Sequence, residues 1–96
     1  MKIVLKNSCG EFCTERGNIG LPKIVKLTVE AIKKKEHLEI DRTGVLILSV
    51  SFVNEFVSAV ACCCSQHDFE TIVSFSPPLE ELYIRQIRRQ FELNRK

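Results

Sequence analysis

Residues 44 to 64, GVLILSVSFVNEFVSAVACCC, constrain the fold more than any other stretch of the chain. Val45 to Leu48 is wholly apolar, which reads as a strand segment buried on both faces. After it come two serines flanking Val50, and then a helix whose stripe of Phe52, Phe56, Ala59 or Val60, and Cys63 is spaced to lie against a sheet. Ser51 reads as the N-cap, because a serine there can accept a hydrogen bond from the first turn. A buried strand feeding a one-sided helix is the repeating unit of α/β proteins.

The flanking sequence extends that unit. Residues 2 to 6, KIVLK, suit a short strand, and residues 7 to 20, which hold three of the four glycines, read as a loop or irregular hairpin. From Leu21 the period changes: Pro22 suits a first helical turn, and Ile24, Leu27, Val29 or Ala31, and Ile32 form a stripe that most lysines avoid. Residues 37 to 48 read as a strand that begins half exposed, with a bend at Thr43-Gly44. Residues 65 to 68 break the second helix, and residues 69 to 75 read as a further strand. Ser76 with Pro77 and Pro78 opens a last helix, whose inner face is Leu79, Leu82 or Tyr83, Ile84, Ile87 and Phe91. This order predicts a single-domain α/β sandwich over residues 1 to 96, a mixed or parallel sheet of about four strands with about three helices.

Composition excludes several functions. With 96 residues the chain makes one domain, with hydrophobic content of 45% and charged content of 27%, as in an ordinary globular protein and unlike a disordered one. No run approaches the roughly 18 apolar residues of a bilayer span, and MKIVLKNSCG lacks the apolar core of an export signal. A cytoplasmic protein with no membrane partner is expected. The five cysteines, an odd set with three adjacent, then read as reduced thiols.

Those thiols are the first candidates for chemistry. Cys9 and Cys13 could form half of a zinc site, and Cys62 or Cys64 with His67 the other half. Adjacent helical side chains point about 100° apart, however, so Cys62, Cys63 and Cys64 cannot converge on one ion. The same three lie at a helix C-terminus, where the dipole disfavours a thiolate. Cys13, close to Arg16 in sequence, is the better nucleophile candidate, and a small buried hydrophobe is the plainer reading of each cysteine. His37 and His67 read as surface residues. Glycines 10, 17 and 20 fit neither nucleotide-binding fingerprint, so no cofactor is expected.

The last helix carries Arg85, Arg88 and Arg89, followed by Arg95 and Lys96, against a net charge of only +2 for the chain. Contact with a phosphate backbone is the functional reading and a solvated outer face the plainer one, since no aromatic platform accompanies the charges. The serine turn offers more. Hydroxyls at a strand-to-helix junction sit where N–H groups point outward, and a phosphate on Ser49 or Ser51 would change the surface by nearly two charges.

Residues 37 to 60, HLEIDRTGVLILSVSFVNEFVSAV, resemble the central signature of STAS-like domains, a family of small bacterial domains related to anti-sigma factor antagonists. Asp41, Gly44, Ser49, Ser51, Phe52, Asn54 and Glu55 carry the match, and the elements on either side follow in the family's order. The resemblance implies a non-enzymatic, regulatory protein-interaction module. Its implied partner is a kinase-like ATPase or another sigma-pathway protein, which would meet residues 49 to 55 and phosphorylate a serine there. The position aligned with the antagonists' phosphorylated serine is Val50, which leaves Ser49 and Ser51 as the hydroxyls beside it. A free sheet edge also leaves pairing with a second copy open.

Overall fold

The computed structural model describes residues 1–13 and 20–94. A parallel three-stranded sheet is built from β1 (Lys2–Val4), β3 (Leu38–Asp41) and β5 (Val73–Ser76), in the order β1-β3-β5, and a second parallel pair joins β2 (Phe12–Cys13) to β4 (Ile47–Leu48). The helices among the described residues are α1 (Leu5–Cys9), α2 (Leu21–Lys34), α3 (Val50–Ala61), α4 (Gln66–Ile72) and α5 (Glu81–Leu93). None is long and apolar enough to cross a membrane.

Register sorts the sheet into two unlike faces. Ile3 pairs with Ile40 and Ile40 with Phe75, while Leu38 pairs with Val73, so these five side chains share one face. They join a core with Ile24, Phe52, Val57, Val60 and Phe91 from the helices. Lys2, Glu39, Asp41 and Ser74 occupy the other face, where Lys2 lies 3.8 Å from Glu39 and 3.5 Å from Asp41. Parallel sheets are usually covered on both sides. Here the alternation in Leu-Glu-Ile-Asp leaves one side polar, and the helices gather on the other. Phe69 ties three of them together, its ring 6.4 Å from that of Phe56 on α3 and 5.4 Å from that of Phe91 on α5.

Several elements differ from the sequence expectation. The first strand stops at Val4, and one helical turn follows because Leu5 and Cys9, four apart, can then both be buried. The expected strand at 69 to 75 begins only at Val73. Before it, the Ser65 hydroxyl accepts a hydrogen bond from the Asp68 N–H at 3.2 Å and starts α4, which buries Phe69 and Ile72. Ser76 is the last residue of β5 and caps nothing; α5 opens instead after Glu80, beyond the two prolines. The segment 37 to 48 is two strands in two sheets, divided at Gly44, whose φ of +85° suits only glycine without strain.

Gly20 marks a second close approach. A Cβ there would lie 1.8 Å from the Ser8 carbonyl oxygen, so α2 can begin against α1 only with glycine at that position. Within α2 the buried stripe is Leu21, Ile24, Thr28, Ala31 and Ile32, and the Thr28 hydroxyl is satisfied by the Ile24 carbonyl at 2.7 Å.

Candidate docking surface

The serine turn lies where β4 gives way to α3. Ser49, not Ser51, is the N-cap: it has extended backbone angles, and its Oγ accepts from the Phe52 N–H at 3.1 Å. Its backbone N–H in turn donates to the Cys13 carbonyl at 2.9 Å, so Ser49 is anchored to β2 as well. Ser51 falls one residue inside the helix with its side chain exposed. The reason is spacing, since a cap reaches the N–H three residues on, and only from position 49 does that put Phe52, Val53, Phe56, Val57 and Val60 on the buried face. Of the two alternatives Ala59 and Val60 it is Val60 that is buried, while Cys63, expected on that face, is exposed.

Ser51, Asn54 and Glu55 do come together. With Ser58 of α3, Cys62 just past its end and Gln90 of α5 they line an open groove of about 590 Å³. Asn54 Oδ1 is buried in this region with no hydrogen-bond partner among the described residues. Asp41 is not part of the groove. It accepts from the Thr43 N–H at 2.9 Å, closing the turn after β3, and this bond holds its carboxyl below the usual carboxylate range, with Lys2 adding to the effect.

Beside the turn is a feature that the sequence reading placed inside the protein. The apolar run 45 to 48 is not buried on both faces: Leu46 is 67% exposed and Ile47 50%. Ile47 is the register partner of Phe12, itself 55% exposed, so the β2–β4 ladder turns an apolar pair outward next to the start of α3. A short apolar run next to a glycine is ambiguous between interior and surface, and what leaves this one exposed is that β4 pairs with β2 over only two residues.

The ends of β3 and β5 are clamped together close by. The Arg42 guanidinium, 14% exposed, donates to the Pro77 carbonyl at 2.9 Å, the Pro78 carbonyl at 2.8 Å and Glu80 at 2.6 Å. Tyr83 closes the same end by donating its hydroxyl to the Leu48 carbonyl.

The thiols do not assemble a metal centre among the described residues, where no three His, Cys, Asp or Glu side chains converge. Cys9 and Cys13 are buried neighbours, and burial pushes the Cys9 thiol up to about 11, with Cys13 adding to it, and raises Cys13 too. Cys62 and Cys63 are exposed at the end of α3. Cys64 shares a pocket with His67, and burial raises its thiol to about 11. None of these shifts favours a nucleophilic thiolate. Arg16, invoked beside Cys13, lies outside the described residues.

On α5, Arg85 pairs with Glu81 at 3.5 Å and Arg88 with Glu70 at 3.9 Å, so the outer stripe that includes Arg89 is partly neutralised. Arg95 and Lys96 lie outside the described residues. No family model, curated protein or solved structure matches the chain. The STAS-like resemblance therefore rests on residues 37 to 60 alone.

Proposed function

We propose that the chain is a STAS-like regulatory module that acts by binding another protein through the first turns of α3 and the adjoining β2–β4 ladder, with no catalytic step of its own. The observation that carries this reading is the exposed trio Phe12, Leu46 and Ile47 on the β2–β4 ladder, which leads through Ser49 into the first turn of α3 and its exposed Ser51. Clustered apolar side chains on a small protein's surface mark a contact site. A modifiable hydroxyl at its rim gives a way to end the contact, because a phosphate at Ser51 would set about two negative charges against a surface chosen for apolar contact. Ser49 is the poorer switch, since its oxygen is already used to cap α3.

The resemblance supplies the partner class, a kinase-like ATPase or another sigma-pathway protein. The test is parallel capture from native lysate with the wild type, Ser51→Glu and Ile47→Asp. Each retained protein is then purified and titrated against all three, and the chain is checked for ATP-dependent phosphate gain at Ser51. The expected result is an ATPase-like or sigma-pathway protein that binds the wild type at least tenfold more tightly than either variant. Equal binding to all three by every retained protein would remove this surface from consideration.

A further inference from the structure

We propose that Cys9 and Cys13 form an intramolecular disulfide while the chain is open and that folding then seals it, so that the folded protein keeps the redox state in which it folded. This goes beyond the docking reading and does not depend on it. Cys9 ends α1, and the turn at Gly10 brings the chain back through β2 so that Cys13, four residues on, meets it. The two thiols are hydrogen-bonded to each other, Cys9 donating to Cys13 Sγ, and Cys13 Sγ lies 3.6 Å from the Gly10 carbonyl. Joining sulfurs already in contact needs side-chain rotation and no rearrangement of the two elements. The cysteines after α3 have no such pairing. Cys62 Sγ and Cys64 Sγ turn back to different carbonyls, those of Ser58 and Val60, at 3.4 Å each, and bridging neighbours in sequence would strain the peptide bond between them.

Burial closes both directions of exchange. Cys13 has no exposed surface and Cys9 is 9% exposed. The start of α2 lies over Cys9, close enough that a Cβ on Gly20 would be 3.1 Å from its Sγ. Thiol–disulfide exchange requires a thiolate to reach the sulfur it attacks, and neither a reductant nor an oxidant has that access here. The folded dithiol is also a poor attacker, because burial raises both thiols. A disulfide has no charged form for the same burial to penalise. The reaction therefore belongs to the open chain, with a low-molecular-weight disulfide such as oxidised glutathione as the oxidant. One cysteine thiolate attacks it and displaces a glutathione thiolate; the second attacks the cysteine sulfur of the mixed disulfide and displaces the other. The protein loses two protons and two electrons, and one oxidised glutathione becomes two reduced ones. The link fastens the end of α1 to β2, whose Cys13 carbonyl holds the Ser49 N–H.

Refolding of the wild-type chain tests it. The chain is unfolded in urea, reduced, and diluted into a glutathione buffer, either oxidised or fully reduced, with circular dichroism to verify folding and peptide mass mapping to assign every thiol. The oxidised buffer should give a folded chain in which Cys9 is joined to Cys13 as the main linkage, with a urea midpoint at least equal to that of the reduced chain. Each folded form is then moved to the opposite buffer. Both should hold their state at Cys9 and Cys13 at least about tenfold longer than the same chain kept in urea. Free thiols, glutathione adducts or other linkages as the main product at Cys9 and Cys13 would overturn the proposal. So would a bridged chain that fails to fold or has a lower midpoint than the reduced one, and so would exchange in the folded chain that falls short of the tenfold margin.

Discussion

Replacing each serine of the turn by alanine separates their roles. Ser49 Oγ accepts the Phe52 N–H at 3.1 Å, and Ser49 is only partly exposed, so water replaces the lost acceptor poorly. Cap removal of this kind costs about 1 kcal/mol, within a range of about 0.5–2. The stiff link from the Ser49 N–H to Cys13 holds the backbone in place and prevents α3 from sliding to a new cap. Ser51 is exposed within the first turn, and Ser51→Ala should change stability by no more than about 0.5 kcal/mol. Urea unfolding followed by far-ultraviolet circular dichroism reads the difference. Ser49→Ala should lower the midpoint at unchanged slope, and in a thermal scan 1 kcal/mol corresponds to about 4–8 °C for a domain of this size. A neutral Ser49→Ala, or a Ser51→Ala that costs more, would refute the cap assignment and the choice of Ser51 as the hydroxyl free for modification.

Arg42→Lys should destabilise by about 1.5–3 kcal/mol in the same assay, because an ammonium cannot reproduce the fork that meets Pro77, Pro78 and Glu80; a loss under about 0.5 kcal/mol would mean the clamp is incidental. Hydrogen bonding to Arg42 lowers the Glu80 carboxyl below its ordinary 4.5, so its contribution is complete above that pH and is lost as pH falls through the lowered value. Stability measured from pH 6 downward should therefore decline below about 4.5, less steeply in Glu80→Gln, and identical slopes would refute the coupling. Timed thiol titration at pH 8 should find Cys62 and Cys63 fast, Cys64 slower, and Cys9 and Cys13 reactive only after unfolding; prompt reaction of Cys9 would contradict its burial and its thiol near 11.

The helices α2, α3 and α5 were legible because each has a stripe of large apolar residues long enough to separate a 3.6-residue period from alternation. The short elements were not. Phe69-Glu-Thr-Ile-Val-Ser-Phe75 satisfies an alternating and a helical reading at once, and what decides is Ser65, whose cap starts α4 four residues earlier. Ser51 reads as the cap from sequence, and only the burial of Phe52 and Val53 sets the phase of α3 from Ser49 instead. Leu46 and Ile47 were assigned to the interior on hydrophobicity alone. Their exposure depends on which strands close beside them, a tertiary fact that no local pattern carries.

The carboxyl ends of parallel strands are where open α/β sheets ordinarily receive small ligands. In this chain that position is filled by its own groups. Arg42 reaches from the end of β3 across to the segment after β5, and Tyr83 reaches back to Leu48. A ligand entering there would have to compete with hydrogen bonds already made to a largely buried guanidinium, which favours leaving the clamp intact. What the same end offers to solvent is Leu46 and Leu82 on the wall of an open cleft of about 600 Å³, with Ile47 and Phe12 beside it. Arg42, Thr43, Glu80 and Tyr83 also line this cleft, but the Arg42 and Tyr83 donors are already spent on Pro77, Pro78, Glu80 and Leu48, so what it offers beyond them is apolar contact, which suits a broad partner surface. This contrast in chemistry, between a satisfied clamp and an exposed apolar rim, is what supports the proposal that the chain acts by recognising another protein.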